Sequence, residues 1–228
     1  MLLKKWADLP ESMCIPEVEE YYTILKHKPL DLFFKRLFDI VVSAILIILL
    51  SGVMLVIAVW IKCDSKGPVM FRQTRITTAG KEFRIFKFRT MVTNAEALGT
   101  QVTVGRDPRI TRSGHFLRKF RLDELPQLFN VFAGDMSFVG TRPEVPRYVN
   151  QYTPEMMATL LMPAGITSDA SIRYKDEDRL LEGAENPDQT YVEVILPEKM
   201  KYNLDYIRHF RFLRDLKIMA ETVIAVIK

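Results

Sequence analysis

The sequence predicts an α/β fold of the α+β kind, mostly helical with a small β-hairpin, built around one membrane-inserted helix and amphipathic interfacial helices. Three observations predict it. Residues 40–61 are uncharged and almost wholly apolar. Residues 71–89 form two arms around Ala79-Gly80, and the second arm, Phe83-Arg84-Ile85-Phe86-Lys87-Phe88-Arg89, interleaves apolar and basic side chains as a half-buried strand does. The last stretch, 211–227, repeats Leu213, Leu216, Met219, Ala220, Val223 and Ile227 at helical spacing. The chain divides on this basis into an N-terminal appendage, 1–30, a membrane helix, 31–62, and a main domain with a C-terminal amphipathic helix, 63–228.

In the appendage, Trp6 with Lys4 and Lys5 suits a membrane interface, and 16–25 reads as a short helix with acids in its first turn. A signal peptide is not expected, because the apolar run starts too late and no small-residue cleavage pattern follows it. The apolar run of about 22 residues, at about 1.5 Å each, is long enough to cross a bilayer. Basic residues flank it on both sides: Lys26, Lys28, Lys35 and Arg36 before, Lys62, Lys66, Arg72 and Arg75 after. A spanning helix biases its bases to one side. Ser51-Gly52 lies at the centre, where Ser can bond back to a carbonyl and Gly tolerates bending, so a kink is expected there. Spanning and re-entrant helices both fit; a buried core helix fits less well because such helices are usually shorter.

Further on, the hairpin would turn Arg84, Lys87 and Arg89 toward a phosphorylated ligand, although a solvated strand face is the common fate of such a run. Residues 91–98 look helical, 107–114 read as a turn-rich loop, a short basic helix starts at His115, and the helix that follows residues 123–126 should stop at Ala133-Gly134-Asp135. Ser137 to Pro143 reads as a strand whose closing loop presents Arg142, with Pro143 holding it extended. Residues 144–161 read as helix broken at Pro146 and Pro154, 163–168 as a tight turn, and 174–188 as exposed charged chain. A helix begins at about Glu198, and the final helix either packs in the core or docks on lipid.

Composition narrows the function. With 228 residues, 48% of them hydrophobic, the chain is no polytopic membrane protein. A net charge of +4 fits anionic lipid, phosphorylated ligands or nucleic acid alike. Cys14 and Cys63 lack metal or redox spacing, and His27, His115 and His209 do not cluster. The informative stretch is Leu122-Asp123-Glu124-Leu125-Pro126-Gln127, between basic Arg118-Lys119-Phe120-Arg121 and an apolar run. Pro126 is acceptable in a first helical turn, which puts Asp123 near an N-cap, ionised by backbone N–H groups and the helix dipole. Such a carboxylate among bases can attack a phosphate or hold Mg²⁺. On these six residues alone a capped helix with paired acids is the better explanation, because Asp caps are common.

The ordered motifs over residues 33–228 decide the matter: Lys35-Arg36-Leu37-Phe38-Asp39 with Ser43, Gly67-Pro68-Val69, Gln73 and Arg75, Lys87-Phe88-Arg89-Thr90-Met91, Arg109-Ile110-Thr111, Gly114, Leu117-Arg118, the Asp123–Gln127 core, Gly134-Asp135-Met136-Ser137 and Arg142-Pro143. In these the chain resembles the small monotopic phosphoglycosyl transferases of bacteria, the polyprenyl-phosphate sugar-phosphate transferase family. The resemblance implies transfer of a sugar 1-phosphate from a nucleotide diphosphate sugar, expected to be a UDP-sugar, to polyprenol (undecaprenyl) phosphate. It implies Mg²⁺ as cofactor and release of a nucleoside monophosphate. Asp123 is then the nucleophile and Glu124 the second catalytic residue, orienting the metal or helping to activate the acceptor; Asp123 and Glu124 are the metal neighbours, and Lys87, Arg89, Arg118, Gln127, Arg142 and Arg173 the substrate-binding residues. The membrane helix is then re-entrant, the protein monotopic in the bacterial cytoplasmic membrane with its site on the cytoplasmic face, and a homodimer is compatible with the family. The chain departs from the family at Ser51-Gly52, where Ser-Pro is usual, at Thr77, Thr141, and over Pro163–Asp169, which bears on donor choice.

Two rival functions remain. A glycosyltransferase would release nucleoside diphosphate instead. A non-enzymatic module binding lipid or nucleic acid through 118–121 has no use for an acid pair inside its basic patch, so nucleic acid is not an expected partner.

Overall fold

The computed structural model describes residues 3–95, 107–175, 180–181, 184 and 186–227. Helices dominate, with two small sheets. Helix α1, Pro16–Lys26, opens on a proline in its first turn, and Val18, Tyr21 and Leu25 along one face are fully buried. With Met13 they join the largest apolar core, so the N-terminal segment is built into the domain.

Helix α2, Pro29–Asp64, runs 36 residues, roughly 54 Å at ~1.5 Å per residue. It starts earlier than the apolar run because Pro29 supplies the first turn. Helical structure continues through Ser51-Gly52, with Ser51 Oγ donating to the Ile48 carbonyl at 2.8 Å. Only 17% of its most apolar window is buried, which argues against a core helix. The buried side chains are Leu32, Lys35, Asp39, Ser43, Met54, Ile57 and Ile61, with Leu46 and Leu50 half-buried between them. Steps of three and four make this one stripe, so the helix lies against the domain at both ends. The opposite side leaves Ile48, Leu49, Leu55 and Val56 about two-thirds exposed or more.

Polar bonds fasten both ends. Near the start, Lys35 Nζ donates to the Val139 carbonyl and to Asp215, both at 2.7 Å, and Asp39 Oδ1 accepts from the Phe138 amide and Ser137 Oγ. Arg36 donates to the carbonyls of Val131 and Phe132. At the far end Asp64 Oδ2 accepts from the Ser113 amide and hydroxyl.

Strands β1, Met70–Ile76, and β2, Glu82–Phe88, form the expected antiparallel hairpin, Met70 opposite Phe88. Arg84 points to the opposite side from Lys87, because their separation is an odd number of residues. Met91 does not enter a helix but bridges Ile110; residues 96–98 of that expected helix lie outside the described residues. Helix α3, Arg112–Lys119, begins three residues before the expected start, capped by Thr111 Oγ1 on the Gly114 amide. Helix α4, Gln127–Ala133, ends at Gly134 in the left-handed conformation, as expected.

Strand β3, Met136–Val139, pairs in parallel with β4, Ala164–Thr167. The expected tight turn at 163–168 is therefore a strand. The approach depends on two glycines: a Cβ on Gly165 would lie 2.1 Å from the Gly140 nitrogen. Between β3 and β4 come α5, Pro146–Val149, and a 3₁₀ stretch, Glu155–Leu161, so both prolines mark helix starts. Helix α6, Asp169–Arg173, follows β4. Residues 176–179, 182–183 and 185 of the expected exposed segment 174–188 lie outside the described residues, and within it Leu181 is fully buried.

Helices α7, Pro187–Thr190, and α8, Leu196–Arg208, join through a π-helical turn, Tyr191–Ile195. Pro197 explains it: it has no N–H for the Glu193 carbonyl and crowds that turn, so the ladder slips by one residue. Helix α9, Phe212–Ile227, buries Asp215 and Ile218. Leu213, Leu216, Val223 and Ile224 stay exposed, so the expected apolar face points outward, as the lipid-docking alternative requires.

Candidate active site

After α3 the chain reverses at Arg121, which holds a left-handed φ of 56° without being glycine. Such strain costs about 1–2 kcal/mol and concentrates at functional sites. Next comes a 3₁₀ turn, Leu122–Glu124, and α4 starts only at Gln127 with Pro126 as its N-cap. Asp123 is therefore not the cap of α4, and no described residue donates a hydrogen bond to its carboxylate. This corrects the expected cause of its ionisation. Asp123 is 8% exposed, and burial, with Glu124 beside it, raises its pKa above the ordinary 3.8. Lys87, Arg118 and Arg142 pull in the other direction without cancelling the rise.

Glu124 has the opposite fate. Its Oε1 accepts from Lys87 Nζ at 2.8 Å and Arg142 Nη2 at 2.9 Å. Burial opposes ionisation, but Arg142 and Lys87 overcome it and hold Glu124 well below the usual range. Burial lowers the Lys87 pKa despite Glu124. The two adjacent acids are thus pulled apart: one a fixed counter-ion, the other a higher-energy anion able to react.

Three local structures bring these groups together. Asn130 on α4 accepts from the Phe86 amide at 2.8 Å and donates to the Arg84 carbonyl, locking β2 beside the acid pair and placing Lys87 on Glu124. Gly114 lets α3 sit on the Thr90 carbonyl, where an added Cβ would meet that oxygen at 2.0 Å. One turn later Arg118 Nε bonds Thr90 Oγ1 at 3.1 Å. The loop after β3 carries Arg142, held by Arg75 on the Pro143 carbonyl and by the Ile76 amide on the Glu144 carbonyl, each at 3.0 Å.

These residues open onto a cleft of about 730 Å³. Its walls carry seven bases, Lys87, Arg118, Lys119, Arg121, Arg142, Lys175 and Lys199, against two acids, Asp123 and Glu124. An excess of that size favours a polyanion. The lining also includes apolar side chains, Leu46 and Leu50 of α2 with Leu128, Phe138, Ile166 and Ala225. A second cleft of similar size, around His209, is lined by four Lys or Arg and four acids and has no such bias.

Of the residues expected to bind substrate, Lys87, Arg118 and Arg142 meet at the acid pair. Arg89 does not: it donates to the carbonyls of Ser65 and Lys66 and to Ser65 Oγ, tying down the end of α2. Arg173 lies over the Tyr202 ring at 4.9 Å and lines the second cleft. Gln127 is 1% exposed with its side-chain nitrogen unpaired and is not among the residues lining the cleft. Lys199 and the apolar lining had no motif to announce them; Ile166 and Thr167 fall in the 163–169 segment already marked for donor choice.

For Mg²⁺ the donor set is small. Among the described residues no three His, Cys, Asp or Glu converge. Mg²⁺ is ordinarily held by one or two carboxylates plus substrate phosphates and water. Asp123, with no hydrogen-bonded partner among the described residues, fits that role; Glu124, already holding two cations on one oxygen, fits it less well.

Comparison with known proteins agrees with this geometry. The family described as bacterial sugar transferase matches residues 30–228. A UDP-N-acetylgalactosamine-undecaprenyl-phosphate N-acetylgalactosaminephosphotransferase of Aeromonas hydrophila is 38% identical over 198 residues, 86% of this chain and 44% of the relative. A UDP-glucose:undecaprenyl-phosphate glucose-1-phosphate transferase of Klebsiella pneumoniae is 39% identical over 198 residues, 85% of this chain and 40% of the relative. The exopolysaccharide production protein PSS of Rhizobium leguminosarum is 34% identical over 203 residues, 86% of this chain and 96% of the relative. The chain spans less than half the length of the first two. By the extent of the family match and these identities, the chain belongs to the bacterial sugar transferase family.

Proposed function

We propose that the chain is a phosphoglycosyl transferase that moves a sugar 1-phosphate from a UDP-sugar to undecaprenyl phosphate through a covalent ester on Asp123. The observation that carries the reading is the position of Asp123: buried, without a hydrogen-bonded partner among the described residues, in a basic cleft that Leu46 and Leu50 of the apolar helix α2 also line. A soluble diphosphate and a lipid phosphate can meet there.

The bases act first. Arg118, Lys87 and Arg142 neutralise donor oxygens, which lowers the repulsion a carboxylate meets on approaching them. Asp123 Oδ then attacks the phosphorus bearing the sugar. The bond from that phosphorus to the bridging oxygen breaks, and the electron pair leaves with UMP. A phosphate oxygen of the lipid next attacks the same phosphorus, the acyl–phosphate bond breaks, and Asp123 returns as carboxylate. Glu124 keeps Lys87 and Arg142 in place throughout. Mg²⁺, when bound beside Asp123, neutralises diphosphate charge and steadies the leaving monophosphate.

We also place both ends of α2 on the cytoplasmic face of the bacterial inner membrane. The buried stripe from Leu32 to Ile61, fastened at each end to one domain, supports that placement, as do the bases on both flanks. Such a site suits the first membrane step of assembling an exopolysaccharide, O-antigen or glycoprotein glycan. Purified protein incubated with undecaprenyl phosphate and a panel of UDP-sugars tests the reading. It should release UMP with at least one donor. Release of UDP would make it a glycosyltransferase, and release of neither nucleotide would sink the proposal.

A further inference from the structure

Resting on that reading, we propose that Lys199 binds the donor's phosphate oxygens, as a further substrate-contacting residue that the acid-pair site does not include. Three observations carry it. Lys199 is only 4% exposed, yet it lines the same cleft as Asp123, from helix α8. A buried lysine is rare unless something holds its charge. Here Lys199 Nζ donates to the Tyr191 hydroxyl at 3.2 Å, and that hydroxyl donates in turn to Glu144 Oε1. Glu144 is 6% exposed and lies 3.9 Å from Arg75.

The chain of contacts leads directly to the catalytic loop. Arg75 and the Ile76 amide grip the carbonyls of Pro143 and Glu144, so the segment that aims Arg142 at Glu124 also anchors Tyr191. Tyr191 reaches it because it begins the π-helical turn that Pro197 imposes. Of Lys199, Tyr191 and Glu144, Lys199 is the one that lines the cleft. Two of the other bases, Lys87 and Arg142, share one oxygen of Glu124. A compact ammonium from α8 adds a charge for a diphosphate where Leu46 and Leu50 of α2 add none. The apolar side chains of the membrane helix suit the lipid acceptor, so Lys199, supplied by a different helix, is assigned to the soluble donor.

The test is steady-state UMP release by full-length Lys199→Met, Lys199→Arg and Tyr191→Phe, varying UDP-sugar and undecaprenyl phosphate separately. Loss of a charge-assisted contact predicts a donor KM roughly ten- to a hundredfold higher for Lys199→Met. Lys199→Arg should recover part of that loss, and the acceptor KM should stay within about twofold, since the apolar side chains assigned to it are unchanged. Tyr191→Phe leaves the ammonium in place without its anchor and should raise donor KM less. If Lys199→Met does not fold, Lys199→Arg and Tyr191→Phe still carry the test, because both must shift donor KM and spare acceptor KM. An unchanged donor KM, or a raised acceptor KM, overturns the assignment. Wild type in the same panel separates the two claims: an inactive wild type refutes the proposed function, whereas an active wild type with normal variants refutes only this inference.

Discussion

The clamp that holds helix α2 makes an unequal prediction. Lys35 and Asp215 form an ion pair at 2.7 Å with side chains 2% and 4% exposed, and Tyr206 donates to the other oxygen of Asp215 at 2.6 Å. Asp39 lies close enough that burial and Asp215 raise its pKa while Lys35 lowers it. One base therefore serves two buried acids. Lys35→Met strands both carboxylates, and breaking a buried pair in this way costs about 3–5 kcal/mol. For a chain of this size each kcal/mol moves Tm by about 2–4 °C, so a fall of roughly 6–20 °C is expected. Asp215→Asn leaves Lys35 with the Val139 carbonyl and with Asp39 nearby, and loses one charge-assisted bond, about 1.5–3 kcal/mol. Thermal unfolding in detergent, followed by circular dichroism, should rank Lys35→Met as the more damaging change. Its penalty should also shrink as pH falls and the stranded acids protonate. If Asp215→Asn costs as much as Lys35→Met, the one-base, two-acid account is wrong.

Three further outcomes are expected. Asp123→Asn should raise Tm at neutral pH: the folded pKa is raised, so the stability of the protonated form is present below the unfolded value of 3.8 and lost as pH rises through the folded one. The gain should be larger at pH 8 than at pH 5, and an equal or reversed gain would contradict the buried-acid reading. Glu124→Gln removes the negative neighbour and leaves Lys87 and Arg142 to act on Asp123, so both changes lower its pKa. The acid limb of kcat/KM should move to lower pH while the rate falls, and a limb moving upward would contradict the pairing. Gly114→Ala must push α3 off the Thr90 carbonyl, costing about 1–3 kcal/mol and displacing Arg118. A shift of about 1 Å there can cost on the order of a hundredfold in turnover, so wild-type kinetics in this variant would remove Arg118 from the site.

Local chemistry made much of this legible in the sequence. The apolar run announced α2, the alternation around Ala79-Gly80 announced the hairpin, and Gly134 marked the end of α4. The acid pair among bases stood out because charge alone is informative there. Strand β4 did not, since four residues with a glycine inside read as a turn until a distant parallel partner, β3, supplies the hydrogen bonds. The surroundings of Asp123 differ from the expected N-cap because sequence reveals capping potential and not burial. Arg89 illustrates the same limit: a basic residue beside Lys87 reads as a phosphate binder, yet its donors are spent on the carbonyls of Ser65 and Lys66. Lys199, an ordinary lysine on a helix, becomes interesting only once its place in the cleft is known.

The central claim is that Asp123 forms a covalent bond to the phosphorus of the donor. Intact-protein mass spectrometry after exposure to UDP-sugar and Mg²⁺, without lipid acceptor, tests it most directly. Wild type should gain the mass of one sugar phosphate, mapped by peptide analysis to Asp123, and Asp123→Asn should gain none. An adduct that persists on Asp123→Asn, or normal turnover with no adduct on wild type, would contradict the account and leave Asp123 as a metal ligand beside direct attack by the lipid phosphate.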